Sequence, residues 1–431
     1  MIIVDTALEK REKEGNPIRV GIVGAGYMGH GIAVQLLKPP LGIRLVAVAN
    51  RTLSKAEKAL RDGGRSHFQT VNSLAQLDDV IAKGDVCLTG DPLLLCDASN
   101  IDVIIDATSD LDCGIRVVLR ALNHRKHVVL LNAALDSTLG PILKTYADRN
   151  NVVITYTDGE EPGVAVNLFR YVKTIGLNPV AAGNLKGLLD PYRTPETQRV
   201  FAERTGQSAP MITSFADGTK LSMECTILAN STGLRVGKRG MYGPKCAHVK
   251  EASTLFPPAD LLNGGLVDFV LGAEPHTGAF VIGYSENPID KEFMNYFKMG
   301  SGPFYVFYTP FHLPQVQIIP TIARAALFND ATTSPIGKPV CEVLTLAKRD
   351  LKAGEILDGI GGFTCYGVIE NADVAQRENL LPMGLSEGCR VKRDIPKDQP
   401  LRYADVGVPS GRLCDRLRAE QDQYFYASVN A

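Results

Sequence analysis

An α/β chain with an N-terminal doubly wound parallel sheet, an α+β domain after it and a small all-β module at the end is the fold class this sequence predicts. Three observations predict it. Residues 18–29, I-R-V-G-I-V-G-A-G-Y-M-G, run from an apolar strand through a glycine turn into an amphipathic segment over 27–37. Apolar runs and helical patterns then alternate without a break to Tyr156, the mark of a parallel sheet covered on both faces. Beyond Pro162 the alternation stops, and from residue 335 short strands take over.

Each element follows from its pattern. Residues 4–14 read as a polar helix, a packing or dimer arm. The β-branched run over 43–49 is the second strand and ends in Asn50-Arg51-Thr52. Helices follow over 55–61 and 74–81 and a short strand over 86–88. The run I-D-V-I-I-D-A over 101–107 is a buried strand, with a helix over 113–123. Strands over 126–131 and 152–156 flank a helix over 139–149. Glu160-Glu161-Pro162-Gly163 is the start signal of a helix over 164–175. A strand over 179–183 leads into a turn over 183–187 that carries Lys186, and 187–210 read as a loop with a short helix. One long helix is expected over 214–230. Residues 233–262, rich in Gly, Pro, Lys and Arg, read as a lid or inserted loop. Strands of a partly antiparallel second sheet fall within 266–284 and over 304–306, and a helix over 318–327 packs back on the first domain. Residues 335–339 read as a linker. After it, K-R-D-L-K-A-G-E-I-L from Lys348 and K-R-D-I-P-K-D-Q-P-L from Lys392 form a repeat, each unit a strand, tight turn and strand. A charged amphipathic helix spans 412–424. The implied domains are 1–158, 159–334 and 335–431.

Composition narrows the function. The chain has 431 residues, 45% hydrophobic and 22% charged, which is ordinary for a globular protein. Its net charge of −1 offers no basic field for nucleic acid or anionic lipid. No apolar run is long enough to span a bilayer, and the charged N-terminus lacks the apolar core of a signal peptide. Nine scattered cysteines with no C-x-x-C argue against a zinc cage or disulfide framework and for a reducing, cytoplasmic setting. Tryptophan is absent.

The glycine turn carries the first chemistry. A dinucleotide pyrophosphate needs a strand, a tight turn and a fresh helix N-terminus, and Gly24, Gly26 and Gly29 supply the turn, the bare backbone and the close helix–strand approach. Tyr27 and Met28 open the helix beside the phosphates. At the end of the second strand a carboxylate would favour NAD and a cation the 2′-phosphate of NADP. Asn50-Arg51-Thr52 holds no acid, so NADP (as NADPH) is the expected cofactor. Ala107, Thr108 and Asn132 follow the next two central strands, where small side chains line a nicotinamide channel.

The second chemistry lies on D-G-T-K-L-S-M-E. Lys220 and Glu224, four apart, share one helical face that continues as Ile227 and Leu228, so the pair reads as buried rather than as a surface ion pair. A buried Lys–Glu pair can hold a proton donor beside a carbonyl, and Lys186 could aim a second ammonium into the same cleft. Lys238, Arg239, Lys245 and Lys250 read as a solvated loop, with a phosphate clamp as the alternative. His248, His276 and His312 are too far apart to imply a metal site. A divalent metal on Glu160, Asp217 or Glu224 stays open without being indicated.

With these motifs in place, the chain resembles the homoserine dehydrogenase-like oxidoreductases that carry a C-terminal SAF domain, a group that includes 1-deoxy-D-xylulose 5-phosphate reductoisomerase-like enzymes. The carrying motifs are P-I-R-V-G-I-V-G-A-G from Pro17, I-D-V-I-I-D-A-T from Ile101, V-A-A-G-N-L-K from Val180, F-A-D-G-T-K from Phe215 and A-K-R-D-L-K-A-G-E-I-L-D-G from Ala347. The resemblance implies a Rossmann domain, a catalytic domain with an oligomerising sheet and a β-clip module. It also implies a homodimer or homotetramer and NADPH-dependent chemistry on a small phosphorylated polyol or sugar-like substrate, of the reductoisomerase kind that serves isoprenoid biosynthesis. One departure matters. Homoserine dehydrogenases place an acid and then a lysine four residues later on this helix; here Lys220 stands in the acid's place and Glu224 in the lysine's. Homoserine-like oxidation of an amino or hydroxy acid is therefore the alternative, and a non-catalytic NADP sensor a further one.

Overall fold

The computed structural model describes residues 3–38 and 42–427, so Met1 and Ile2 of the N-terminal stretch lie outside the described residues. Two compact units share the chain. One takes residues up to 160, 313–334 and those from 416 on; the other takes 161–312 and 335–415.

The first unit is built on a seven-stranded sheet. Its strands are β1 (Ile18–Val23), β2 (Ile43–Ala49), β3 (Phe68–Thr70), β4 (Val86–Thr89), β5 (Val103–Asp106), β6 (His127–Leu130) and β7 (Ile154–Tyr156), in the order β3-β4-β2-β1-β5-β6-β7. Every pairing is parallel. This is a Rossmann-type arrangement, with the order reversing beside β1. The central strands are buried almost without interruption, which is why they read as continuous apolar runs. Helix Ile318–Phe328 returns to this core, burying Ile318, Ile322 and Ala323 against Ile18, Val20 and Val103.

Several elements differ from the sequence reading. Strand β3 and helix Pro92–Asp97 were not expected, the first because only three residues pair, the second because a Pro-led single turn and a half has no periodicity to show. Helix Ala133–Arg149 starts six residues early, because Asn132 caps it: its Oδ1 accepts the Leu135 N–H at 3.1 Å. Pro141 sits inside this helix. Beside it the buried Gln421, from helix Leu413–Tyr426, accepts from Ile142 N–H and donates to Thr138 C=O, both at 3.2 Å. Those are the donor and acceptor that a regular helix joins directly.

The second unit holds a four-stranded mixed sheet: β8 (Asn178–Lys186), β9 (Leu266–Leu271), β10 (Ala279–Tyr284) and β11 (Phe304–Thr309), in the order β11-β10-β8-β9. Only β8 and β9 run parallel. Strand β8 runs three residues beyond the expected end, so Lys186 is the last residue of a strand, paired with Leu271, rather than part of a turn. The long helix expected over 214–230 is two, Ala209–Ala216 and Thr219–Thr232, broken where Gly218 takes φ 87°. Residues 233–262 are not a lid. They lie along β9 through bridges Arg235–Leu266 and Lys245–Leu271, and Asp268 accepts the N–H groups of Tyr242 and Gly243 at 2.8 Å each.

Strands β12 (Cys341–Ala347) and β13 (Cys365–Asn371) form an antiparallel pair, and β14 (Arg390–Val391) pairs with β15 (Val406–Gly407). The repeats are not two regular hairpins; they pair with each other. Leu351 and Ile395, equivalent positions of the two copies, exchange both backbone hydrogen bonds at 2.9 and 3.0 Å. Residues 335–339 are not a free linker, since Ile336 N–H bonds Asn230 C=O at 2.9 Å. This β region holds helix Thr219–Thr232 along its length. Gly367 N–H donates to Thr219 Oγ1 at 2.8 Å, Ser222 Oγ donates to Gly367 C=O at 3.1 Å, and Asn230 Oδ1 accepts from Val340 and Cys341 N–H. At the helix's amino end the buried Lys348 donates to Asp217 at 2.9 Å.

Candidate active site

Each unit contributes one constellation. In the first, the carboxyl ends of β1, β2, β5 and β6 gather every residue expected at the cofactor. Gly24 has φ 99°, and a β-carbon there would meet Ala107 C=O at 2.6 Å. One at Gly29 would sit 1.9 Å from Gly24 C=O, whereas one at Gly26 would meet nothing within 4 Å. The first and third glycines are thus demanded by the turn itself, and the second leaves an open cradle over the N-terminus of helix Tyr27–Leu36. A pyrophosphate fits there.

The flanking side chains are organised around that turn. Asn50 Oδ1 accepts Ala25 N–H at 2.9 Å and Asn50 Nδ2 donates to Thr52 C=O at 2.7 Å, so Asn50 shapes the loop. Arg51 beside it is exposed. Tyr27 is exposed, and Met28 Sδ accepts from Gln315 Nε2. Thr108 Oγ1 donates to Asp106 at 2.7 Å, and Asn132 Nδ2 reaches Thr108 Oγ1 at 3.5 Å. Asp106 is fully buried with Oδ2 unpartnered; burial pushes its carboxyl up to about 6 against the pull of the Thr108 hydrogen bonds.

The second constellation is a buried charge cluster. Helix Thr219–Thr232 places Lys220 and Glu224 one turn apart, with Nζ 2.9 Å from Oε1. Lys186, at the end of β8, reaches Glu161 Oε1 at 2.6 Å and Glu224 Oε2 at 3.4 Å. Asn184, two residues back on the same face of β8, donates to Glu224 Oε2 at 3.0 Å. Both carboxylates are almost fully buried, while Lys186 and Lys220 keep 21% and 14% of their side chains exposed, so the ammonium groups form the solvent side.

The electrostatics separate the two acids. Burial raises the Glu161 carboxyl, and the neighbouring Glu224 charge raises it further. Burial also disfavours the Glu224 carboxylate, but Lys186 and Lys220 outweigh it and hold Glu224 below the usual carboxylate range. For Lys186 burial is likewise outweighed, by Glu161 and Glu224, which hold it charged. The cluster thus pulls the two acids in opposite directions, Glu161 up and Glu224 down, with Lys186 held charged between them.

Sequence reasoning treated Glu161 only as a helix-start signal, weighed His312 only as a metal ligand, and missed Asn184. The hint for Glu161 was an acid ahead of Pro-Gly just after the last parallel strand. His312 Nδ1 lies 2.9 Å from Thr277 Oγ1 and 3.9 Å from Glu161. His248 is structural: it caps residues Val249–Thr254, accepting Lys250 N–H. Arg239 does not clamp phosphate, being paired with Glu370 at 2.8 Å and Glu378 at 3.0 Å. Of the acids named for a metal, Asp217 is committed to Lys348. Glu160 and Glu224, together with Glu161, offer oxygens within 4.8 Å of one another that could ligate a cation, in competition with Lys186.

Two family models match parts of the chain. Residues 159–318 match the family model described as "Oxidoreductase DRL, catalytic domain", and residues 7–109 match that for shikimate / quinate 5-dehydrogenase. No curated protein matches. Among solved structures, scyllo-inositol dehydrogenase from Lactobacillus casei is 11% identical over 73% of this chain and 89% of its own, with a TM-score of 0.41. A DOX-P reductoisomerase in complex with NADPH, fosmidomycin and magnesium is 14% identical over 49% of this chain and 57% of its own, at 0.35. For an NAD-binding oxidoreductase from Klebsiella pneumoniae the values are 19%, 40%, 43% and 0.28, so the chain spans under half of that protein's length. These likenesses are too distant to carry a residue's role across. The catalytic-domain match and the glycine turn together make the chain an enzyme of the NAD(P)-dependent Rossmann-fold oxidoreductase class.

Proposed function

We propose that the enzyme uses NADPH to reduce a carbonyl of a small phosphorylated polyol or sugar-like substrate, in a reaction of the reductoisomerase kind. The observation that carries this reading is the buried cluster of Lys186, Lys220, Glu161 and Glu224. The ammonium groups of Lys186 and Lys220 lie on the exposed side of the cluster, each held by a buried carboxyl: Lys186 by Glu161 and Glu224, Lys220 by Glu224. Fixed ammonium groups at that side suit an oxygen that gains negative charge during reduction, and they favour an anionic substrate.

Bound NADPH supplies the hydride. Lys220 donates a hydrogen bond to the carbonyl oxygen and Glu224 keeps that lysine charged and oriented. Lys220 passes a proton to that oxygen as hydride adds to the carbonyl carbon and regains one from solvent, while Lys186, held by Glu161 and Glu224, binds the substrate. The cofactor preference rests on the exposed cation Arg51 just after β2 and on the lack of an acid in Asn50-Arg51-Thr52. The C-terminal repeat module is proposed to be a SAF-like β-clip, and the chain to act as a homodimer or homotetramer.

The test is NADPH oxidation with a panel of phosphorylated ketoses and their unphosphorylated counterparts, with and without magnesium. One phosphorylated ketose should turn over, and Lys220→Ala should lower kcat by about 10²–10⁴. Undiminished turnover in Lys220→Ala would remove the assigned role. NADP reduction by homoserine with no ketose turnover would transfer the reading to hydroxy-acid oxidation, and tight NADPH binding with no turnover of any compound would favour a sensor.

A further inference from the structure

We infer that the first unit carries a second anion site, for a small phosphate-bearing metabolite, at the amino ends of β1, β5 and β6. A cavity of about 450 Å³ opens there, within the range of ligand pockets. The cofactor cradle lies at the opposite, carboxyl ends of the same strands, so this cavity is separate from it. Its lining includes Arg11 from helix Asp5–Lys13, then His124, Arg125, Lys126 and His127.

The acids in the lining are already neutralised. Asp97 is held by Arg120 through two hydrogen bonds at 2.6 and 2.9 Å, and Asp102 by the backbone N–H and guanidinium of Arg19 at 2.8–3.2 Å. What remains is a set of donors. Arg11 Nε is buried without a hydrogen-bond partner. Arg125 stands exposed at the rim on a left-handed residue, φ 56°. Val153 N–H donates to His127 Nδ1 at 3.1 Å, which places the ring proton on Nε2, and burial keeps that ring neutral.

Basic groups commonly gather here to satisfy the carbonyls at helix C-termini. Lys126 does so, donating to Ala98 C=O and to Ile101 C=O. Arg11 and Arg125 do not: among the described residues neither guanidinium has a carbonyl or carboxylate. Two planar forks and a neutral imidazole N–H, with no free acceptor of matching strength, make a receptor for a phosphate oxyanion. Ser99 and Ala326 line the rest of the wall, backed by the buried Ile18 and Ile101, and the organic part of the ligand would rest on Ala326.

Calorimetric titration of the full chain with inorganic phosphate, and separately with 3-phosphoglycerate, tests this at fixed ionic strength with NADPH saturating. The expected result is one saturable site, tighter for the organic phosphate than for phosphate alone. Arg11→Gln and Arg125→Gln should each weaken it about tenfold or more, while Arg51→Gln leaves it unchanged. Phosphate and phosphoglycerate of equal affinity would restrict the site to a free inorganic anion. No saturable binding, or equal binding by the Arg11→Gln/Arg125→Gln double variant, would overturn the proposal. Arg125→Gln alone decides the matter if the double variant does not fold, since that side chain is exposed.

Discussion

Replacing Lys348 by methionine tests how firmly the helix bearing Lys220 and Glu224 is anchored. Lys348 Nζ donates to Asp217 at 2.9 Å, to Arg193 C=O at 2.8 Å and to Gly362 C=O at 2.7 Å. The side chains are 3% and 0% exposed, so water cannot replace the lost ammonium. The variant leaves a buried carboxylate with the Thr219 N–H and two carbonyls short of a donor. Breaking such a pair costs about 3–5 kcal/mol. The loss should depend on pH. Burial already raises the Asp217 carboxyl despite Lys348, and without Lys348 it rises further. Between the ordinary carboxylate range and that raised value, the folded variant keeps a proton that the unfolded chain releases. Its stability therefore falls as pH rises, by about 1.4 kcal/mol per pH unit. Guanidinium unfolding followed by far-UV circular dichroism at pH 5, 6.5 and 8 should show a deficit that widens with pH. A deficit under about 1 kcal/mol, or one equal at all three values, would refute the reasoning. Asp217→Leu/Lys348→Met, which removes both charges, should recover much of the loss.

Gly26→Ala and Gly29→Ala separate cofactor binding from turn geometry. The first should weaken NADPH binding with an unchanged melting temperature, the second should lower both, and the reverse order would contradict the assigned glycine roles. Arg51→Gln should raise the Kd for NADPH about tenfold and leave that for NADH unaltered, as read by nicotinamide fluorescence, which no tryptophan obscures; equal effects on both would detach Arg51 from the 2′-phosphate. Asp136 is buried in helix Ala133–Arg149, and burial alone lifts its carboxyl to about 7. The folded chain then holds a proton that the unfolded one releases near pH 4, so this residue's contribution to stability declines from pH 4 to 7. Asp136→Asn should be more stable than the wild type at pH 8 by on the order of a few kcal/mol and lose that advantage near pH 4; parallel pH profiles would show the carboxyl to be ionised throughout.

The parallel sheet was legible because buried strands such as β5 are continuous apolar runs, and the glycine turn because its chemistry is local. The i, i+4 spacing of Lys220 and Glu224 was equally visible. Partners set by distant chain were not. Nothing near Glu161 announces that β8 will bring Lys186 to it, and Lys348 reads as a surface lysine until Asp217, 131 residues away, meets it. The break at Gly218 was masked because apolar residues continue helical spacing on both sides of it. The 44-residue repeat was visible from its shared K-R-D, but similar strings do not reveal that the copies pair with each other through Leu351 and Ile395.

Gln421 gives the first unit an unusual dependence on synthesis order. The glutamine that bridges Thr138 and Ile142 is translated 279 residues after Ile142. Until then the ribosome has released a nearly complete dinucleotide fold with a proline-interrupted helix and no bridge across it. Because Asn132, at the carboxyl end of β6, caps this helix, a nascent chain without Gln421 should bind the cofactor more weakly. Truncation before residue 421 should accordingly register as a cofactor-binding defect.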